Sequence, residues 1–166
     1  GLWAVLLWLN ILAVRRESVQ AILESHWAEF GRNYYQRHDY EEVDAKAAEG
    51  LMGSLHDRLA SMAGQRFGTL VVSEADDFSY KDPVDGSVAT GQGVRIVFSG
   101  GSRIVYRLSG TGTKGATLRV YIERYEPDRT RHDIAPEQAL AELIDTASAI
   151  GEIGKRTGRT APDVIT

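Results

Sequence analysis

The sequence predicts an α+β fold in which an antiparallel β-sheet packs against helices. After Gly64, strand-like segments follow one another as far as Glu123, with helical patterning before and after them. The pair Gly100-Gly101 between two apolar segments is a strong signal for a β-hairpin. Strands that are grouped centrally, rather than alternating with helices, are typical of antiparallel sheets.

The composition is that of an ordinary globular protein. The chain has 166 residues, of which 43% are hydrophobic and 25% charged, and its formal net charge is −4. This charge argues against a protein that coats nucleic acid or an anionic membrane, so we expect neither as a partner. The absence of cysteine excludes disulfides, cysteine nucleophiles and thiolate metal ligands. It also fits a reducing cytoplasm, which is the expected location.

The first segment, residues 1–14, is apolar apart from Asn10. It is too short to span a bilayer, and it has neither the basic start nor the small-residue cleavage site of a signal peptide. Such a segment is typical of a helix buried within a larger protein. Because the chain begins with Gly inside this apolar segment, we expect a fragment cut from a longer polypeptide.

Two more helices are predicted before the strands. Ser18 as N-cap and Gly31 as terminator delimit the second helix. Residues 32–38 are polar and aromatic and form the predicted domain boundary, which divides the chain into residues 1–30 and residues 31–166. Asp39 followed by Glu42 resembles a capping box that would begin the third helix. Its expected apolar stripe is Val43, Ala47, Leu51, Leu55, Leu59 and Met62.

The remaining elements complete the predicted sheet and its last helix. Short strands are expected at residues 69–72 and 78–80, and the Gly100-Gly101 turn joins residues 94–98 to residues 103–108. Residues 116–123 alternate apolar and polar side chains, so one face of that strand should be buried. Pro136 marks the start of the final helix, and the tail TGRTAPDVIT is expected to be irregular.

A glycine-rich segment between two predicted strands contains the candidate ligand-binding residues. Arg107 and Arg119 lie an even number of residues apart across it, so a hairpin in the matching register would place both guanidiniums on one sheet face. Glycines allow close approach of a ligand, and successive backbone N–H groups can form an anion nest. Two arginine forks beside such a nest match the oxygens of a phosphoryl group. The other members of the predicted site are Ser109, Gly110, Thr111, Gly112, Thr113, Lys114 and Gly115.

Three named motifs compete for this segment. The glycines at 110, 112 and 115 satisfy the dinucleotide-binding fingerprint, but that fingerprint must open a helix, and here a strand follows. A kinase glycine-rich loop would require catalytic sequences that are absent, and Lys114 has the wrong spacing for a Walker A motif. A strand–loop–strand phosphate holder remains, with a flexible hairpin and solvated arginines as the alternative.

The run RLSGTGTKGATLRVYIERYE resembles the C-terminal phosphate-binding segment of the α-D-phosphohexomutase superfamily, and the phosphoglucomutase branch is the nearest match. The segments GLWAVLLWLNILA, HWAEFGRNYYQRHDYEEV and DPVDGSVATGQGVRIVFSGGSRIVYRLSGTGT are similar to other parts of the same family. The resemblance implies that residues 1–30 end the family's third, α/β domain. Residues 31–166 would be the fourth domain, with a TATA-box-binding-protein-like fold.

The resemblance also implies a function. The branch interconverts glucose 1-phosphate and glucose 6-phosphate through a phosphoserine, Mg²⁺ and a glucose 1,6-bisphosphate intermediate. By position, Arg107, Ser109, Gly110, Thr111 and Arg119 would hold the phosphate that is not transferred, and Gly112 and Thr113 complete the expected phosphate-binding set. The phosphoserine, metal and sugar-binding loops are absent. We therefore expect no catalytic residue and no metal ligand in this chain, and its partners would be a hexose phosphate and the N-terminal domains of the same polypeptide.

Two other functions stay open at this point. The chain could be a free-standing phosphosugar-binding or regulatory module without catalysis, or a packing domain whose glycine-rich loop is vestigial. The histidines do not cluster at ligand spacing, and the acidic turn at residues 73–77 resembles a solvated surface more than a metal site.

Overall fold

The computed structural model describes the backbone of residues 1–112 and 115–166, and the side chains of residues 1–109 and 115–166. The chain divides into two compact units. One comprises Gly1–Arg32 and Glu126–Asp133, and the other comprises Asn33–Tyr125 and Ile134–Thr166.

The first unit contains two α-helices, α1 (Leu2–Arg15) and α2 (Val19–Phe30), and a short 3-10 helix (Arg129–Arg131). The predicted limits of α2 are confirmed, since the Ser18 hydroxyl accepts from the Ala21 N–H at 3.1 Å and Gly31 ends the helix at a φ of 83°. Helix α1 buries none of its residues, and most of its large apolar side chains are exposed. In the described part of the chain, no helix combines the length and apolar character needed to cross a membrane.

The second unit is built on a β-sheet. The strands are β1 (Arg32–Val43), β2 (Arg66–Phe67), β3 (Leu70–Asp77), β4 (Tyr80–Lys81), β5 (Val88–Ala89), β6 (Val94–Phe98), β7 (Arg103–Gly112), β8 (Gly115–Glu126) and β9 (Val164–Ile165). Within the described residues the sheet has seven strands in the order β2-β3-β6-β7-β8-β1-β9, and β4 pairs with β5 separately. Pairs β2–β3, β3–β6, β6–β7, β7–β8 and β1–β9 are antiparallel, as predicted for this fold class.

Helices of the second unit cover one face of this sheet and form the core with it. They are α3 (Ala45–Met62), α4 (Pro136–Gly151) and α5 (Ile153–Thr157). The buried side chains of β8 are Ala116, Leu118, Val120 and Ile122, which confirms the predicted alternation. Tyr106 of β7 is fully buried, and its hydroxyl donates to the Ala147 carbonyl of α4 at 2.7 Å. The opposite face of β7 and β8, the open face, carries Arg107 and Arg119.

The prediction that a helix begins at Asp39 is wrong. Residues 32–43 form β1, and α3 begins later, with the Asp44 carboxylate accepting from the Ala47 N–H at 3.0 Å. The inward positions of β1 include Gln36 and His38, which are both buried although polar. They therefore hide the period-2 pattern by which a half-buried strand is recognised. Val43 lies in β1, so the prediction that it belongs to the apolar stripe of α3 is also wrong.

The tail was expected to be irregular, and this expectation is wrong at its end. Strand β9 pairs with β1 through His38↔Ile165 and Asp39↔Val164. The backbone of Thr166 exchanges hydrogen bonds with Arg37 at 2.8 and 3.0 Å. The Asp163 carboxylate also accepts from the Glu41 N–H at 2.8 Å. A two-residue strand has too few residues to show a sequence pattern, but it pairs along β1.

Candidate functional site

Strands β7 and β8 form the predicted hairpin, and its register places Arg107 directly opposite Arg119. Residues directly opposite in an antiparallel pair project from the same face, so the two arginines are neighbours on the open face. This confirms the predicted register. A β-bulge lies between Ser109 and Thr111, where the pairing shifts from Ser109↔Thr117 to Thr111↔Ala116.

The structure places part of the predicted phosphate site. The backbone of Gly110, Thr111 and Gly112 continues β7 as far as the pair Gly112↔Gly115. Thr113 and Lys114 lie outside the described residues. Arg107, Ser109 and Arg119 are thereby brought to one end of one hairpin.

Arg107 is exposed and is held by neutral groups. Its Nη2 donates to the Gln92 Oε1 at 3.1 Å. Next to Gln92, Gly93 has a φ of 140°, and a Cβ built there would lie 2.6 Å from the Arg107 Cγ and 2.4 Å from the Tyr106 carbonyl oxygen. Glycine at position 93 therefore allows the stem of Arg107 to lie directly against the backbone.

Arg119 is held differently, beside a buried carboxylate. Its Nε lies 3.7 Å from the Asp39 Oδ2, and the Asp39 side chain is only 6% exposed. The other carboxylate oxygen, Oδ1, accepts from the Arg37 Nε at 2.8 Å. The Nε of Arg119 is buried, and among the described residues it has no hydrogen-bond partner. The Arg119 side chain as a whole nevertheless remains 37% exposed.

The start of β8 packs against the end of β1. Gly115 has a φ of 111°, and a Cβ built there would lie 2.8 Å from the Val43 carbonyl oxygen and 3.2 Å from the Glu42 carbonyl carbon. Glu42 itself has a φ of 51°, an uncommon conformation for a residue with a side chain. The two left-handed residues let the backbones approach closely at the base of the glycine-rich segment.

A cavity of about 580 Å³ lies on the open face beside Arg107. Most arginines that line it are already paired with carboxylates. Arg95 binds Asp76 at 3.0 and 2.5 Å, and Arg103 binds Glu123 at 2.8 and 2.5 Å. The hydrogen bonds that Arg95 donates to the Asp76 carboxylate raise the pKa of Arg95, against a smaller opposing effect of burial. The remaining residues that line the cavity include Tyr35, Arg37, Phe78, Arg107 and Tyr121.

Arg107 differs from its neighbours in this cavity. Among the described residues, no carboxylate lies within ion-pairing distance of it, whereas Arg37, Arg95 and Arg103 each have at least one. An arginine that is ordered by neutral partners keeps its positive charge available to an anion. The site therefore offers an uncompensated guanidinium at Arg107 and a partly compensated one at Arg119.

Several residues that support these arginines carry no signal in the sequence. The sequence predicts a helix cap at Asp39 and no role for Arg37, Gln92 or Gly93. Their contacts join strands and loops that are far apart in the chain, so no local spacing marks them. Within the described residues, no group of three or more His, Cys, Asp or Glu side chains is arranged to hold a metal ion.

Comparisons with known proteins give the family. The family described as Phosphoglucomutase-1, C-terminal domain, matches residues 32–163. The chain is 60% identical over its whole length to a phosphoglucomutase of Rhizobium radiobacter, and 50% identical to phosphoglucomutase-1 of Oryctolagus cuniculus. It spans 31% of the length of each of these relatives.

A solved structure agrees with this result. The open form of the exocytosis-sensitive phosphoprotein pp63/parafusin, a phosphoglucomutase from Paramecium, superposes with a TM-score of 0.85 at 42% identity. The match covers 100% of this chain and 29% of the Paramecium chain. The chain therefore belongs to the phosphoglucomutase family and corresponds to its C-terminal portion.

Proposed function

We propose that this chain forms the C-terminal, phosphate-binding part of a phosphoglucomutase that interconverts glucose 1-phosphate and glucose 6-phosphate. In this role it holds the substrate phosphate that is not being transferred and helps to close the active site. The pairing of Arg107 with Arg119 at the glycine-rich end of the β7–β8 hairpin is the observation that supports the proposal.

The chemistry of the two arginines suits this ligand. A sugar phosphate carries between one and two negative charges near neutral pH, and each guanidinium can donate two parallel hydrogen bonds to its oxygens. Arg107 supplies charge with no carboxylate competing for it among the described residues. Ser109, two residues further along β7, lies on the same strand face and would add a hydroxyl donor.

A binding site that contacts only the phosphate group of the substrate also suits the reaction. The proposed mutase passes through glucose 1,6-bisphosphate, which must reorient so that either phosphate is held while the other is transferred. Groups that bind phosphate oxygens, without contacts to particular sugar hydroxyls, accept both orientations equally. The chain would therefore contribute binding and orientation in both halves of the reaction.

The chemical step would be carried out elsewhere in the polypeptide. We infer that the phosphoserine, the ligands of Mg²⁺ and the sugar-binding loop belong to preceding domains, as the family resemblance implies. Mg²⁺ would supply charge stabilisation at the phosphoserine. We place the protein in the cytoplasm, with a hexose phosphate as its small-molecule partner.

A chimaera provides the test. This chain would replace the matching C-terminal part of the Rhizobium radiobacter phosphoglucomutase, to which it is 60% identical. In the chimaera, Arg107→Ala or Arg119→Ala should lower kcat/KM by the equivalent of about 2–4 kcal/mol of transition-state stabilisation, because the substrate phosphate loses a bidentate hydrogen-bond partner.

The matched control is Arg103→Ala, which removes an arginine of the same face that is already paired with Glu123. The control should retain most of the activity in a coupled assay. If the Arg107 and Arg119 variants stay within about threefold of the unmodified chimaera, the hairpin has no part in substrate binding. The 166-residue chain alone should show no turnover with or without Mg²⁺, and activity of the pure chain would contradict the division of labour.

A further inference from the structure

Asp39 lies between two arginines of the open face. Along β1, Tyr35, Arg37 and Asp39 alternate with inward-facing residues, and Asp39 is the most buried of the three. Its Oδ1 accepts from the Arg37 Nε at 2.8 Å, and its Oδ2 lies 3.7 Å from the Arg119 Nε. One buried carboxylate thus faces a cation of its own strand and a cation of β8.

The contact with Arg119 involves the inner edge of the guanidinium. The Nε is buried, whereas more than a third of the side chain is exposed. Contact at Nε leaves the terminal Nη groups as the donors that a ligand can reach. A guanidinium that is oriented at one edge by a carboxylate presents its other edge in a fixed direction.

The balance of charges near the hairpin also favours anion binding by Arg119. Arg37 and Arg119 share the carboxylate of Asp39, which already accepts a hydrogen bond from Arg37. Asp39 therefore cannot neutralise both of its arginines. Arg119 keeps part of its charge for an anion, while its direction is set by the carboxylate behind it.

We propose that Asp39 is a positioning residue for phosphate binding, which acts by orienting Arg119. This inference rests on the proposed function, because it assigns Asp39 a role only if Arg119 binds the substrate phosphate. Without the carboxylate, Arg119 would sample more rotamers, and binding would have to order it. The acidic group thus strengthens the binding of an anion although its own charge opposes it.

The test is a double-mutant cycle in the chimaera that joins this chain to the remaining domains of the Rhizobium radiobacter phosphoglucomutase. Binding of glucose 6-phosphate is followed by NMR titration for the wild type, D39N, R119Q and the double variant, with glucose as the negative ligand. In the Arg119 background, D39N should weaken binding by about tenfold, whereas in the R119Q background it should change binding by less than about twofold. The Nε–Hε signal of Arg119 should broaden in D39N, because the side chain is no longer held.

The matched control is E123Q. It also removes a carboxylate that pairs with an arginine of the open face, and it lies on the same strand as Arg119. Because Glu123 does not contact Arg119, E123Q should leave the affinity within about twofold of wild type. Urea denaturation of each variant checks that the chain is folded. If D39N does not fold, the same cycle with D39E keeps the charge and moves the carboxylate by one methylene.

The outcomes are distinguishable. Equal losses for D39N in both backgrounds would show that Asp39 does not act through Arg119. Unchanged or tighter binding in D39N would show that the carboxylate only opposes the ligand's charge, and either result overturns the inference. If the wild type does not bind glucose 6-phosphate, or if R107A and R119Q bind it as the wild type does, the proposed function fails and the role of Asp39 fails with it.

Discussion

Gly93 precedes β6 at a point where no side chain fits. Its φ is 140°, and a Cβ built there would lie 2.4 Å from the Tyr106 carbonyl oxygen and 2.6 Å from the Arg107 Cγ. The flexible stem of Arg107 can move aside, but the Tyr106 carbonyl belongs to a strand paired with Val94. Gly93→Ala should therefore disturb both the edge of the β6–β7 ladder and the position of Arg107.

The expected magnitude follows from two separate contributions. A positive φ of this kind costs a residue with a side chain about 1–3 kcal/mol. Forcing an extra methyl against the backbone costs about another 1–3 kcal/mol. The free energy of unfolding of Gly93→Ala should thus fall by about 2–6 kcal/mol, and phosphate binding should weaken because Arg107 is displaced.

Urea denaturation of the 166-residue chain measures the effect on stability. The matched control is Gly91→Ala, two residues earlier, where φ is 61° and no atom lies within 4 Å of the added Cβ. The control should lose about 1–2 kcal/mol, since only the backbone term applies. If Gly93→Ala is no more destabilising than Gly91→Ala, the close approach to Tyr106 and Arg107 has no energetic importance.

Three further predictions concern the second unit. Tyr106→Phe should lower the free energy of unfolding by about 1 kcal/mol, because the buried hydroxyl no longer donates to Ala147; an unchanged denaturation midpoint would contradict this. Burial lowers the pKa of His38, against a weaker opposing effect of Asp39. The unfolded chain therefore binds more protons below pH 6.5, and stability should fall as the pH drops through 6.5 towards the folded pKa; His38→Gln should flatten this slope in denaturation curves. Asp163→Ala should lower the free energy of unfolding by about 1 kcal/mol and speed amide exchange at Glu41, because the Glu41 N–H loses its hydrogen bond to the Asp163 carboxylate. Equal exchange rates in the variant and the wild type would show that this hydrogen bond does not hold the tail.

The core of the sheet was predictable because its signals are local. Leu118, Val120 and Ile122 alternate with polar residues, and a Gly-Gly turn sets the neighbouring hairpin. These two features fix which faces are buried and, through the even spacing of Arg107 and Arg119, which arginines become neighbours. The predicted pairing of the arginines is accordingly confirmed.

Strand β1 was not predictable in the same way. Its buried positions include Gln36 and His38, whose ring Nε2 lies 3.1 Å from the Gln36 Oε1, so polar groups satisfy each other where apolar ones would be expected. Asp39 and Glu42 then imitate a helix cap by their spacing. The contact of Asp39 with Arg119 joins residues 80 positions apart, and only the order of strands in the sheet reveals it.

The position of β1 in the sheet has a consequence for how the chain folds. Strands β6, β7 and β8 are consecutive in the sequence and adjacent in the sheet, so their pairing closes only short loops. Strand β1 lies between β8 and β9, and it joins partners that are far away in the sequence. Long-range contacts form more slowly than local ones during folding. We therefore expect Arg107 and Arg119 to become neighbours early, and the contact of Asp39 with Arg119 to form late. A folding intermediate with the three-strand meander alone would then carry both arginines without the group that orients one of them.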